Sequence, residues 1–128
     1  MSLFSTIENM GYNFFTGVPD SALKEFQDDI IQSDYQHVIA TNEGQAIGNA
    51  VGAELAGKKA CVYLQNSGLG NAINPLTSLC LPFKVCPMLV IGHRHSLPQH
   101  KIMGEIDGTI MKLIEYPTYI VTGTANDK

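Results

Sequence analysis

Short apolar runs alternate with helical patterns along this chain. Residues 12–15, aromatic and apolar, predict a first strand that Thr16-Gly17 stops. Leu23, Phe26, Ile30 and Ile31 then recur at helical spacing, with Asp20 or Ser21 as the cap. Residues 38–40 predict a second strand and residues 43–56 a second helix. A third strand over residues 59–64 turns through Gln65-Asn66-Ser67-Gly68-Leu69-Gly70-Asn71 into a third helix, which Pro75 bends or restarts. Residues 88–91 predict strand four. The apolar positions Ile106, Ile110, Met111, Leu113 and Ile114 predict helix four over residues 104–115, and residues 118–121 predict strand five.

Strands alternating with helices imply an α/β fold: three layers, doubly wound, around a mostly parallel sheet. Residues 1–128 then form one domain. The chain stops soon after strand five, where such domains often add a covering helix, so the expectation is either a domain lacking that helix or a partner that covers the face.

Composition narrows the function. A charged fraction of 16% leaves less solvated surface than usual and suggests a face covered by another subunit. The net charge of −4 and the single arginine, Arg94, exclude a basic nucleic-acid footprint. No apolar run reaches the roughly 20 residues of a membrane span. No signal peptide is apparent. Cys61, Cys80 and Cys86 lack zinc or disulfide spacing and read as buried thiols of a cytoplasmic protein.

The candidate chemistry gathers at strand ends, where open α/β sheets bind ligands. Glu43 follows Thr41-Asn42 at a strand-to-helix junction, wedged between an apolar strand and a Gly/Ala helix. A poorly solvated carboxylate there needs a hydrogen-bond partner or a proton to share. Gly44, Gly48 and Gly52 weaken that helix by roughly 0.5–1 kcal/mol each relative to alanine. Tight helix–sheet packing or close approach of a second subunit or flat ligand would justify them. Gly68-Leu69-Gly70 matches neither a P-loop nor a dinucleotide fingerprint. His93, Arg94, His95 and His100 follow strand four. His93 and His95, two apart on an extended segment, should point oppositely, so no metal site is expected. No nucleophile elbow supports a hydrolase.

Four segments, Thr16-Gly17-Val18-Pro19-Asp20-Ser21, Asn42-Glu43-Gly44, the residues 65–71 with Asn74-Pro75-Leu76-Thr77-Ser78-Leu79, and Pro98-Gln99-His100, together resemble the pyrimidine-binding domain of thiamine diphosphate-dependent decarboxylases. The likeness is to the phosphonopyruvate and sulfopyruvate decarboxylase families. It implies that Glu43 hydrogen-bonds a ring nitrogen of the aminopyrimidine and so activates the cofactor towards a small 2-oxo acid. It further implies Asp20 and His100 as proton carriers, with Val18, Pro19, Gln65, Asn66, Ser67 and Gly68 against cofactor or substrate. Only His95-Ser96-Leu97 separates Arg94 from Pro98, a shorter loop than in those families. The Gly-Asp-Gly…Asn pattern of a diphosphate-binding domain is absent. Mg²⁺ and the diphosphate are therefore expected on a partner domain or subunit, within a homo- or hetero-oligomer. An interaction module without catalysis, and a flavodoxin-like nucleotide binder, are the competing classes.

Overall fold

The computed structural model describes residues 1–123. Helix α1 (Leu3–Asn9) is capped by Ser2, whose Oγ accepts the Ser5 N–H, and it buries Phe4 and Ile7. The elements that follow are β1 (Phe14–Gly17), α2 (Lys24–Gln32), β2 (Gln36–Ile39), α3 (Glu43–Leu55), β3 (Ala60–Gln65), α4 (Leu69–Pro75), α5 (Leu81–Phe83), β4 (Met88–Gly92), α6 (Pro98–Ile114) and β5 (Tyr119–Thr122). A 3₁₀ turn (Ser21–Leu23) leads into α2, and another (Asn66–Gly68) leads into α4.

All five strands are parallel, in the order β2-β1-β3-β4-β5. Each central strand is apolar on both faces, as a sheet covered on both sides requires. Phe15, Cys61, Tyr63, Met88 and Val90 face a layer built from Phe4, Ile7, Phe26 and Ile30 of α1 and α2. Phe14, Val62, Leu64, Leu89 and Ile91 face Ala46, Ile47, Ala50, Leu69, Ala72 and Met111 of α3, α4 and α6. The chain moves outwards from β1 to β2, then crosses back to β3. The carboxyl ends of β1 and β3 therefore border a topological switch point, where a crevice opens. Gly17 is required there, because a Cβ would lie 2.2 Å from the Tyr63 carbonyl oxygen.

Several boundaries differ from the sequence-based expectation. Helix α1 escaped it, since seven residues offer too few repeats to read a period. Helix α6 begins at Pro98, six residues before the apolar pattern does. Proline suits the first helical position, where its missing N–H has no acceptor to serve. Pro98-Gln99-His100 is thus a first helical turn and not a loop. Pro75 ends α4 and is followed by a π turn over Leu76–Cys80. Packing inside the domain does not account for two of the α3 glycines: a Cβ at Gly48 or Gly52 would meet nothing within 4 Å.

Candidate functional site

The carboxyl ends of the strands bring the chemistry-bearing loops together, and Glu43 stands on one side. Asn42 caps α3 by accepting the Gln45 N–H at 2.9 Å, while Gln45 Oε1 accepts the Thr41 N–H at 2.7 Å. Capping is complete without the Glu43 side chain, which is half-buried and turned towards the start of α4. Asn71 Nδ2 donates to Glu43 Oε1 at 2.9 Å. Beneath the carboxylate lies Gly68: a Cβ there would come within 2.5 Å of Glu43 Cγ and Oε2. No hydrogen bond among the described residues engages Oε2.

On the other side is a buried ion pair. Asp20 Oδ1 accepts Arg94 Nε at 3.1 Å and Gln65 Nε2 at 2.9 Å, and Arg94 Nη2 also lies 3.1 Å away. Arg94 donates through Nη2 to the Ser21 hydroxyl as well. Asp20 Oδ2 is buried with no hydrogen-bond partner among the described residues. Asp20, Arg94, Asn66 and Asp107 are 9%, 6%, 1% and 8% exposed, so this is an internal network and not a solvated surface. Charges buried to that degree persist only when paired.

Asn66 ties the network together. Its Oδ1 accepts the Arg94 N–H at 3.2 Å, and its Nδ2 donates to the Arg94 carbonyl at 2.9 Å and to Asp107 Oδ2 at 3.0 Å. His93 Nδ1 meets the same Asp107 oxygen at 2.7 Å. The side chain of Asn66 is thereby committed inside the protein, whereas Ser67 is exposed and Gln65 half-buried. Gln65 uses both ends of its amide, donating to Asp20 and accepting the Ser67 hydroxyl. Val18 is half-buried and Pro19 exposed on the crevice side of β1.

The histidines separate. His93 and His95 do not point oppositely: their rings stack at 6.3 Å with 21° between planes. The period of an extended chain is two residues, so positions 93 and 95 share a face, and the expectation of opposite directions misapplied that period. His100 sits in the first turn of α6, half-buried, and its Nδ1 has no hydrogen-bond partner among the described residues. Among the described residues no hydrogen bond or ion pair joins it to Asp20, Gln65 or Glu43. Nor does any group of three or more His, Cys, Asp or Glu among them form a metal site, and no helix is long and apolar enough to cross a membrane.

Sequence reasoning missed three contributors. Asn71 was legible only as the last residue of the glycine-rich block. Asp107 lies mid-helix with no local signal. Gln27, on α2, accepts the Asp20 N–H through Oε1 and donates to the Asp20 carbonyl through Nε2, both at 2.9 Å.

The sequence is similar to those of known proteins. Residues 1–112 match the family described as thiamine pyrophosphate enzyme, N-terminal TPP binding domain. The chain is 34% identical over 125 residues to sulfopyruvate decarboxylase subunit alpha of Methanocaldococcus jannaschii, covering 93% of this chain and 73% of that one. It is 35% identical over 127 residues to the same subunit of Methanococcus maripaludis, covering 92% and 74%. It is 32% identical over 131 residues to phosphonopyruvate decarboxylase of Streptomyces viridochromogenes, covering 98% of this chain but 33% of that protein. With the parallel sheet and its switch-point crevice, these matches make the chain a member of the N-terminal, thiamine pyrophosphate-binding domain family of thiamine pyrophosphate enzymes.

Proposed function

We propose that this chain is the pyrimidine-side part of a thiamine diphosphate-dependent 2-oxo acid decarboxylase. Its substrate is a three-carbon 2-oxo acid with a tetrahedral anionic head: phosphonopyruvate, releasing carbon dioxide and phosphonoacetaldehyde. Sulfopyruvate is the second reading, favoured by one observation. The sulfopyruvate alpha subunits align with this chain over nearly three quarters of their own length, the phosphonopyruvate enzymes over about a third.

The observation that carries the reading is the Glu43 carboxylate, held by Asn71 over Gly68 at the rim. The residues suit an aminopyrimidine. Among the described residues no donor engages Oε2, and the absent side chain at Gly68 leaves room for the carboxylate to lie there. Thiamine diphosphate, when bound, supplies the electron sink for loss of carbon dioxide. Glu43 would then share a proton with a ring nitrogen of the bound cofactor. Asn71 keeps the carboxylate from swinging away. Val18 and Pro19 form the adjoining wall, and Gln65, Ser67 and the Gly68 backbone line its floor.

Asp20, committed to Arg94 and Gln65, anchors the end of that wall. His100, whose Nδ1 has no partner among the described residues, remains the candidate proton carrier on the substrate side. A separate domain or subunit holds the diphosphate and Mg²⁺, a reading supported by the relatives' being alpha subunits. The open face at Gly48 and Gly52 suits close approach of a second subunit in an oligomer. A cytoplasmic location fits the three unbridged thiols.

Co-expression with a polypeptide carrying the diphosphate domain tests this, with carbon dioxide release measured from both acids. Glu43→Gln keeps the Asn71 hydrogen bond but cannot share the proton. It should slow the reaction by about 10²-fold or more, and an undiminished rate sinks the assignment. Thiamine diphosphate and Mg²⁺ that bind neither the chain nor its complexes in calorimetry would favour a non-catalytic interaction module.

A further inference from the structure

The geometry points to Gln27 as a positioning residue of the rim site, acting through the backbone of Asp20. The inference rests on the function proposed above and adds a residue that function does not name. Asp20 occupies the N-cap position before the 3₁₀ turn at Ser21, yet its side chain makes no capping bond. An aspartate in that position normally turns its carboxylate onto the helix N–H groups. Here the carboxylate turns to Arg94 and Gln65 instead. Gln27 holds the backbone in its place, with Oε1 on the Asp20 N–H and Nε2 on the Asp20 carbonyl, each at 2.9 Å.

The same device recurs at the other member of the ion pair. Asn66 grips the Arg94 N–H at 3.2 Å and the Arg94 carbonyl at 2.9 Å. Each half of the Asp20–Arg94 pair thus has its own peptide groups clasped by a carboxamide from a different element. An amide side chain offers an acceptor and a donor side by side. An ionised glutamate would oppose the Asp20 carbonyl with a second acceptor.

The clasp at Asp20 matters because of what precedes it. Val18 N–H reaches the Tyr63 carbonyl at 3.4 Å, and Pro19 has no N–H to anchor. The wall formed by Val18 and Pro19 is therefore fixed at its far end by Asp20, and Gln27, which shares the Asp20 carbonyl with the Leu23 N–H at 2.9 Å and alone engages the Asp20 N–H among the described residues, sets where Asp20 lies. Loosening Gln27 should let the wall drift while leaving Glu43, on a different element, in place. The effect then falls on occupancy of the site by the cofactor, with turnover of the loaded enzyme largely kept.

Gln27→Met, similar in size but without either hydrogen bond, tests this in two ways. In the full chain, hydrogen exchange at the Asp20 amide should rise by about tenfold, with the β1 and α2 amides unchanged. An unchanged Asp20 rate, or a uniform rise across β1 and α2, overturns the clasp. In the complex with a diphosphate-domain partner, the apparent KM for thiamine diphosphate should rise by about tenfold while kcat changes less than about threefold. Equal loss in kcat with KM unmoved overturns the positioning role. Gln27→Glu, which keeps volume and one bond, should fall between wild type and Gln27→Met in both measurements and serves if Gln27→Met does not fold; a wild-type value in both overturns the inference. A wild-type complex that decarboxylates neither acid overturns the proposed function and the positioning role together, while the exchange result still judges the clasp.

Discussion

The carboxylate of Glu43 lies over the α-carbon of Gly68, so close that a single methyl group at residue 68 would fall 2.5 Å from Glu43 Oε2. Gly68 has helical φ and ψ of −71° and −12°, which alanine adopts freely. Gly68→Ala should therefore fold, because the atoms it strikes belong to a side chain that can rotate away. The displaced carboxylate, however, loses its place at the rim. We expect a melting temperature close to wild type and decarboxylation in the partnered complex reduced by about 10²-fold. A fully active variant would show that the position of Glu43 over residue 68 is immaterial.

Asp20 and Arg94 are 74 residues apart in sequence and 3.1 Å apart in space. Removing one member of a buried pair leaves the other charge without its partner, at a cost of about 3–5 kcal/mol. Arg94→Met and Asp20→Leu should each lower chemical-denaturation stability by that order. The double variant should lose clearly less than the sum of the two. Additive losses would mean that the two side chains do not act as a pair.

Stability should fall towards both acid and alkali, for separate reasons. Burial lowers the pKa of His37, whose Nε2 lies 2.7 Å from the Tyr63 hydroxyl. Below the ordinary value of 6.5 the unfolded chain takes up a proton that the folded one resists, so stability declines as pH falls through that region. At the other end, burial pushes Tyr63 from 10.0 to about 12. The unfolded phenol ionises first, and stability declines as pH rises above 10. Circular-dichroism melts across this range check both slopes. His37→Gln should flatten the acid one alone.

The exposed face of α3 gives a prediction with opposite signs at two sizes. Gly48 has open space around its missing side chain. Gly48→Ala should stabilise the isolated chain by about 0.5–1 kcal/mol, the helix penalty of glycine. Gly48→Leu should be tolerated by the isolated chain but weaken its association with other subunits, measured by sedimentation. Association unaffected by leucine would remove that face from any interface.

Much of the fold was legible because it is written in local periods. Paired apolar faces at Phe14 and Phe15, and again along Ala60–Gln65, mark strands covered on both sides. Glu43 was legible too, since Thr41-Asn42 before a Gly/Ala helix is a capping signal that any reader of sequence meets. Where periods were short or capped by proline, legibility failed. Helix α1 and the first turns of α6 were therefore passed over.

The sequence by itself determined which residue types stand at each strand end, because alternation, capping and glycine placement act over a few residues. Only the tertiary structure decided which of them meet. The order β2-β1-β3-β4-β5 puts the ends of β1, β3 and β4 side by side, and so joins Asp20 to Gln65 and Arg94. It also gives Asn66 to Arg94 and Asp107, inside the protein. Carboxamides such as Gln27 and Asn66 carry no periodicity and bond equally well to water, so their partners emerge only when the packed strands exclude it.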